Sequence, residues 1–268
     1  MLNIITPISF DHQEYLGKTL NQITNEKLGI IKKSSVVISS KQNIKVKKII
    51  KKFTLKNKNI LINFKEDWDI KITKNKYFEY KIYGNYKKYI KPSLFGKHQI
   101  YNASTAITAI NYLKKIGYKF DLKKINVALK NTSWPGRLEK IKIKNLTIYL
   151  DGAHNVDGAN SLKEFIAETK KTTWLILGMM NSKNLSSFLK VLKNNIQGIV
   201  AVKIPNQKNS YSNRKIFNLC KKMKIYCEKE NNIKIALETL IIKHRVNQII
   251  ICGSLYLIGE IKKLKLMN

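Results

Sequence analysis

Residues 146–159 read Leu146-Thr147-Ile148-Tyr149-Leu150-Asp151-Gly152-Ala153-His154-Asn155-Val156-Asp157-Gly158-Ala159. A short apolar run that ends in an acid and a glycine, with a helix starting just beyond, is the strand-to-helix turn of an α/β protein. The rhythm continues downstream, with strands expected at Thr173 to Gly178, Ile199 to Ile204 and Gln248 to Cys252, and helices between them. This predicts a mostly parallel sheet covered on both faces. In such a sheet ligands bind at the carboxyl ends of the strands. There Gly152 permits close backbone approach, and Asp151, His154 and Asn155 crowd polar chemistry into one turn beyond what a plain loop needs.

Outward from that turn, the N-terminal half reads differently. Residues 3–8 form a short apolar strand, followed by Asp11-His12 on a turn. Thr19 opens a helical pattern through Leu20, Ile23 and Leu28, closed by Gly29 and Lys32-Lys33. Ser35 to Ser39 is a buried-type strand, and a Lys-rich amphipathic helix covers about 43–52. Residues 59–92 alternate, as in Tyr77-Phe78-Glu79-Tyr80-Lys81-Ile82-Tyr83, which predicts antiparallel strands with aromatic partners. Gly96 to Lys115 is a helix, and a short one starts at Asp121. The Trp134-Pro135-Gly136 punctuation and the change of rhythm place a domain boundary near 135–145, giving domains of 1–138 and 139–268.

Composition bounds the function. The 268 residues are 44% hydrophobic and 25% charged, the balance of a folded protein with a sizeable core. No apolar run approaches the ~20 residues of a membrane span, and no basic stretch leads into a long apolar core at the start. Neither a membrane partner nor export is expected. Cys220, Cys227 and Cys252 fit no zinc spacing and read as reduced thiols of a cytoplasmic protein. The formal net charge of +34 invites a nucleic-acid reading, but only three of the 51 basic residues are arginines, namely Arg137, Arg214 and Arg245. Phosphate and base recognition favour the arginine fork, and the charge is spread over both halves. A specific nucleic-acid partner is not expected, although a non-catalytic basic module binding nucleic acid or a folate ligand stands as the alternative to an enzyme.

Five polar clusters sit at predicted element ends. The imidazole of Asp11-His12 ligates a metal or packs in a core. Lys27, in Glu26-Lys27-Leu28-Gly29-Ile30, read alone is a solvated helix lysine. Gly96-Lys97-His98-Gln99-Ile100-Tyr101-Asn102-Ala103 opens a helix whose N–H groups suit an anion or a plain cap. Arg137, in Pro135-Gly136-Arg137-Leu138-Glu139, is a phosphate ligand or a surface arginine. The fifth cluster is the Asp151 turn itself.

In order along the chain, these clusters resemble the folylpolyglutamate synthase/dihydrofolate synthase family of the Mur-ligase superfamily. The resemblance also takes in Ile5-Thr6-Pro7-Ile8-Ser9-Phe10 before Asp11-His12, Tyr15-Leu16-Gly17, and Gly253-Ser254-Leu255-Tyr256-Leu257. It implies an α/β fold: a partial P-loop-type Mur ligase central domain followed by a Rossmann-like Mur ligase C-terminal domain. It implies an ATP-dependent amide ligase adding L-glutamate to dihydropteroate and/or (tetrahydro)folate through an acyl phosphate. By the same resemblance His12 is a Mg²⁺ ligand, and Lys27 is carbamylated, which supplies oxygen ligands for a hard cation. Asn102, Arg137 and Asp151 contact ATP. His154 and Ser254 lie near the acyl phosphate and the incoming amino acid. The site is expected in the cleft between the domains.

Two departures qualify the match. No Gly-x-x-x-x-Gly-Lys-[Ser/Thr] occurs in the 268 residues, so the backbone cradle for phosphates is not among them. Asn181-Ser182-Lys183-Asn184 also stands where acidic residues often flank the lysine. The expectation is a P-loop-less fragment with little ligase activity alone, with a separate P-loop polypeptide as a possible partner, and with an unpaired edge at the first strand. A cell-wall Mur ligase relative is the other alternative. The Gly-His-Gln-x-x-Asn and Gly-Ser-Leu-Tyr-Leu signatures favour the folate branch.

Overall fold

A computed structural model describes residues 1–11, 13–143, 146–244 and 246–263. The chain divides into two compact units, Met1–Thr132 and Ser133–Asn268.

The first unit runs β1 (Leu2–Ile5), α1 (Gln13–Leu16), α2 (Leu20–Leu28), β2 (Val36–Ser39), α3 (Ile44–Lys56) and β3 (Ile60–Asn63). These strands form a parallel sheet in the order β1-β2-β3. Thr19 and Gln22 make a reciprocal capping box at the start of α2, and Asn43 accepts the Val46 N–H at the start of α3 at 2.9 Å. Ile23 and Leu28 of α2 and Val46 and Ile50 of α3 pack with Ile5 and Val37 on one face of the sheet. There follow β4 (Trp68–Ile72), β5 (Tyr77–Ile82) and β6 (Asn85–Ile90), an antiparallel meander, then α4 (Lys97–Lys115), a 3₁₀ turn at Leu122–Lys124 and α5 (Ile125–Asn131). Trp68, Phe78, Tyr80 and Tyr89 of the meander share a core with Ile100 and Ile107 of α4 and with Val36, Ile38 and Ile62 of the parallel sheet. The alternating residues of 59–92 thus divide. Ile60-Leu61-Ile62 lacks the alternation of the later strands and joins the parallel sheet; only 68–90 is antiparallel.

The second unit runs β7 (Glu139–Ile143), β8 (Leu146–Leu150), α6 (Val156–Thr169), β9 (Thr173–Leu177), α7 (Leu185–Leu192), β10 (Gly198–Ala201), α8 (Asn213–Lys222), β11 (Cys227–Lys229), α9 (Ile233–Ile242), β12 (Gln248–Cys252) and α10 (Leu255–Lys263). The sheet order is β11-β10-β9-β12-β8-β7, parallel throughout except for the β7–β8 hairpin. Every residue of β9, β10 and β12 is buried, as expected of strands covered on both faces. One face carries Ile148, Leu150, Ile176 and Ile249 against Ala236 and Leu240 of α9 and Leu257 and Ile261 of α10. On the other, Tyr149 of β8 meets Phe165 of α6 edge-on at 4.6 Å between ring centroids.

The two strands not anticipated from sequence are β7 and β11. Glu139-Lys140-Ile141-Lys142-Ile143 alternates with period two and pairs antiparallel with β8, whereas β11 is only three residues long. Among the described residues no helix is long and apolar enough to cross a membrane. Cys220 and Cys252 are buried free thiols and Cys227 is half-buried.

Phe188 of α7 is fully buried. Phe188→Ala is expected to destabilise the chain by about 3–5 kcal/mol through lost burial and the cavity left behind, read as a lower urea midpoint by circular dichroism.

Candidate functional site

β12, the last strand of the chain, inserts between β8 and β9, so the turns after these three strands lie side by side at the carboxyl edge. The ladder continues into them. The Asp151 N–H donates to the Ile251 carbonyl at 2.9 Å, the Gly253 N–H to the Ala153 carbonyl at 2.9 Å, and the Gly178 N–H to the Cys252 carbonyl at 3.3 Å. Gly253 has φ +107°, and a Cβ there would sit 2.4 Å from the Gly178 carbonyl oxygen, so neither its conformation nor its space admits a side chain.

Asp151 is buried, and both carboxylate oxygens are engaged. Oδ1 accepts the Ala153 N–H at 2.8 Å, and Oδ2 accepts the Leu138 N–H at 2.8 Å. The second bond ties the 135–138 turn to the end of β8, helped by a Gly152 N–H to Gly136 carbonyl bond of 2.8 Å. Glu139 completes the turn: its Oε2 accepts the Gly136 N–H at 2.8 Å, and its Oε1 pairs with Lys262 at 2.7 Å. Leu138 is held at φ +48°. Arg137 thus projects from a turn fixed on both sides. A Cβ on Gly152 would lie 2.5 Å from Leu255 Cδ2 and 3.2 Å from an Arg137 guanidinium nitrogen, so the missing side chain lets both groups approach. Burial pushes the Asp151 carboxyl above the ordinary aspartate value of 3.8, opposed by the two amide hydrogen bonds and by Arg137 and His154 nearby.

His154 Nδ1 lies 2.7 Å from the Gly152 carbonyl, which can only accept, so Nδ1 carries the proton. Asn155 caps α6 by accepting the Gly158 N–H at 2.9 Å. Ser254 is buried, and its Oγ accepts the Tyr256 N–H at 3.2 Å in the first turn of α10. The second unit therefore gathers Arg137, Asp151, His154 and Ser254 onto adjoining turns.

The other expected site residues belong to the first unit. Lys27 is exposed in the last turn of α2, opposite the buried Ile23 and Leu28. Asn102 is exposed on α4 and donates to Gln99 Oε1 at 3.1 Å. Gly96 starts that helix with φ +105° and no side-chain cap. His12, the expected metal ligand, lies outside the described residues. Among the described residues no group of three or more His, Cys, Asp or Glu side chains could hold a metal ion, so these donors alone do not fit a magnesium ion. Sequence reading quoted Glu139 within its motif but gave it no role; the alternation that follows it is the signal that would have placed it in a hairpin.

The parallel sheet, its turn chemistry and the sheet order define a protein of the Mur ligase fold. Residues 2–110 match the Mur ligase middle domain and residues 136–266 match the dihydrofolate synthetase C-terminal domain. The chain belongs to the dihydrofolate synthase/folylpolyglutamate synthase family. It is 28% identical over 288 residues to the probable dihydrofolate synthetase of Schizosaccharomyces pombe, covering 97% of this chain and 64% of that protein. It is 27% identical over 280 residues to the dihydrofolate synthase/folylpolyglutamate synthase of Bacillus subtilis, covering 98% and 62%. Among solved structures, Mycobacterium tuberculosis folylpolyglutamate synthase complexed with ADP and AMPPCP superposes with a TM-score of 0.84 at 21% identity, over 98% of this chain and 63% of that one. E. coli FolC in complex with DHPP and ADP gives a TM-score of 0.82 at 17% identity, over 98% and 61%. The chain thus spans less than two thirds of the length of these curated relatives.

Two substitutions probe this turn. An acid whose folded pKa is raised binds more protons folded than unfolded, so its contribution to stability is complete below pH 3.8 and is lost as pH rises through the folded value. Asp151→Asn abolishes that acid-range slope and leaves one amide N–H facing a donor, at a cost of about 1–3 kcal/mol; urea unfolding of both proteins across mildly acid pH reads the difference. Gly253→Ala is expected to cost about 1–3 kcal/mol from the left-handed backbone alone, with more from the contact with Gly178, seen as a lower melting temperature.

Proposed function

We propose that this chain forms part of a cytoplasmic ATP-dependent amide ligase that joins L-glutamate to dihydropteroate and/or a folate. The observation that carries the reading is the hydrogen-bonded turn in which the buried Asp151 carboxylate holds the Arg137 backbone at the carboxyl edge of the sheet. The order of motifs along the chain and the names of its relatives support the same reading.

The chemistry asks for such a turn. A carboxylate is a poor acylating agent, so its oxygen first takes the γ-phosphoryl group of ATP, with ADP leaving. The amine of glutamate then attacks the acyl carbon, with phosphate leaving and the amine losing a proton. In the first step two anions approach. At ~4 Å and an effective dielectric of ~20, each like-charge pair costs about 4 kcal/mol. A preorganised cation offsets this at little reorganisation cost. Arg137 supplies that charge, positioned by Asp151 and Glu139. His154, with Nδ1–H anchored on the Gly152 carbonyl, and Ser254, at the start of α10, stand where the acyl phosphate and the amino acid would meet. Asn102 contributes a nucleotide contact from the first unit, and Lys27 is the candidate for carbamylation. Magnesium, when bound by His12 and a carbamylated Lys27, would neutralise phosphate charge. The phosphate cradle is not among these 268 residues, and a separate P-loop polypeptide would supply it.

The 268-residue chain assayed alone with ATP, glutamate and dihydropteroate or folate is expected to turn over far more slowly than a complete relative; comparable rates would overturn the need for a P-loop from elsewhere. Millimolar ATP is expected to shift the amide resonances of Arg137, Leu138, Gly152 and His154, and Arg137→Ala to weaken ATP binding roughly tenfold. Unmoved resonances at all four positions would remove the basis of the reading.

A further inference from the structure

The second unit carries a groove of about 740 Å³ between the start of α7 and the outer face of α8. Its walls include Lys183, Tyr211, Ser212, Arg214, Lys215 and Lys222, and none of its lining residues is acidic. No ion pair among the described residues engages Arg214, Lys215 or Lys222. Lys215 Nζ instead sits 5.0 Å from the Tyr211 ring centroid. Hydrogen bonds hold the floor together. The Asn181 N–H donates to the Asn209 carbonyl at 2.9 Å, the Tyr211 N–H to the Met179 carbonyl at 2.9 Å, and the Tyr211 hydroxyl to the Lys183 carbonyl at 3.1 Å. These segments follow β9 and β10, so the groove opens on the same carboxyl edge of the same sheet as Asp151 and Ser254.

Its chemistry favours a string of separated negative charges over one compact phosphate. A compact anion is best held by the free N–H groups of a helix end, but here the helix-end caps already take some of them: Asn184 accepts the Ser187 N–H at 2.9 Å, and Ser212 accepts the Lys215 N–H at 3.2 Å. The polar groups are spread out instead. Arg214, Asn218 and Lys222 line the groove from one stripe of α8, each four residues after the last, a rise of about 6 Å per step. A γ-linked glutamate chain has five backbone bonds per residue, and with bonds of about 1.5 Å it repeats at roughly 6 Å when extended. It carries one α-carboxylate per repeat. The groove volume is also that of a site for a ligand of several residues rather than for a single ion.

We propose that this groove binds an oligo-γ-glutamate chain, the tail of a substrate already extended by several glutamates. The proposal rests on the folate-ligase reading above and names which substrates that site would hold best: those with longer tails, gripped away from the reacting carboxylate.

The test is titration calorimetry of the full 268-residue chain with tetra-γ-glutamate at low ionic strength. Binding is expected to weaken roughly tenfold in the double variant Arg214→Gln/Lys222→Gln, and to stay unchanged in Lys171→Gln/Lys193→Gln, which removes equal charge from exposed positions elsewhere in the same unit. Tetra-α-glutamate, with three backbone bonds per residue, is expected to bind several-fold more weakly. Equal loss in both double variants, equal binding of the two peptides, or displacement by equimolar inorganic phosphate would each overturn the proposal in favour of general anion attraction. The ATP-induced resonance shifts at Arg137 and Gly152 report separately on the ligase reading. Tetra-γ-glutamate binding without them leaves the groove and removes the ligase, and the converse removes the groove alone.

Discussion

A carboxylate taken out of water and handed two backbone amides is the constraint on which the second unit turns. Burial alone would favour the protonated form of Asp151, and only its hydrogen bonds and nearby positive charge make the anion tolerable. One of those bonds comes from its own strand-to-helix turn, and the other from Leu138, thirteen positions earlier in the chain. That longer bond closes the β7–β8 hairpin from outside its ladder. It also explains why Leu138 tolerates a left-handed backbone, since the strain of a non-glycine residue at φ +48° is offset by satisfying a buried acid. Both oxygens being engaged, the first task of Asp151 is to position Arg137, and its effect on a bound nucleotide would pass through that turn.

The sheet order multiplies the effect of this one turn. Because the last strand to be made lies beside the first parallel one, residues about a hundred positions apart in sequence share an edge, and Gly253 must pass within contact of the Gly178 carbonyl. The helices after β8 and β12, α6 and α10, then begin on neighbouring turns, so the first-turn N–H groups near Asn155 and Ser254 are available at the same edge. A rearrangement that moved β12 by one place would leave the local structure of each turn intact and scatter the chemistry.

Most of this was legible residue by residue. The strand starts and ends from 146 onward follow from unbroken apolar runs, and the helix starts from Thr19, Asn155 and Asp121, whose short polar side chains suit caps and turns. What escaped did so for physical reasons. β7 carries lysines on alternate positions and reads as a solvated loop until its partner is known. β11 is too short for any period to register. Ile60–Asn63 borders an alternating region and was drawn into it, although its apolar run belongs to the parallel type. At the site, residue types were readable but not their bonding. Nothing in Pro135-Gly136-Arg137-Leu138-Glu139 announces that the Leu138 amide, rather than any side chain, meets Asp151, because main-chain donors are the same at every position.

Charge shows the same limit from the other side. With 51 basic residues, a lysine on a surface says little by itself. Arginine is a different matter, because its fork fixes direction as well as sign, and it is rare here. Of the three, Arg245 lies outside the described residues, Arg137 stands on the turn clamped by Asp151, and Arg214 stands in the one-signed groove beside α8. Both described arginines are therefore at the carboxyl edge of one sheet. In a chain whose background is lysine, the sparse planar cation marks the edge where anions would be handled, while the lysines spread over both halves account for the net charge without pointing anywhere.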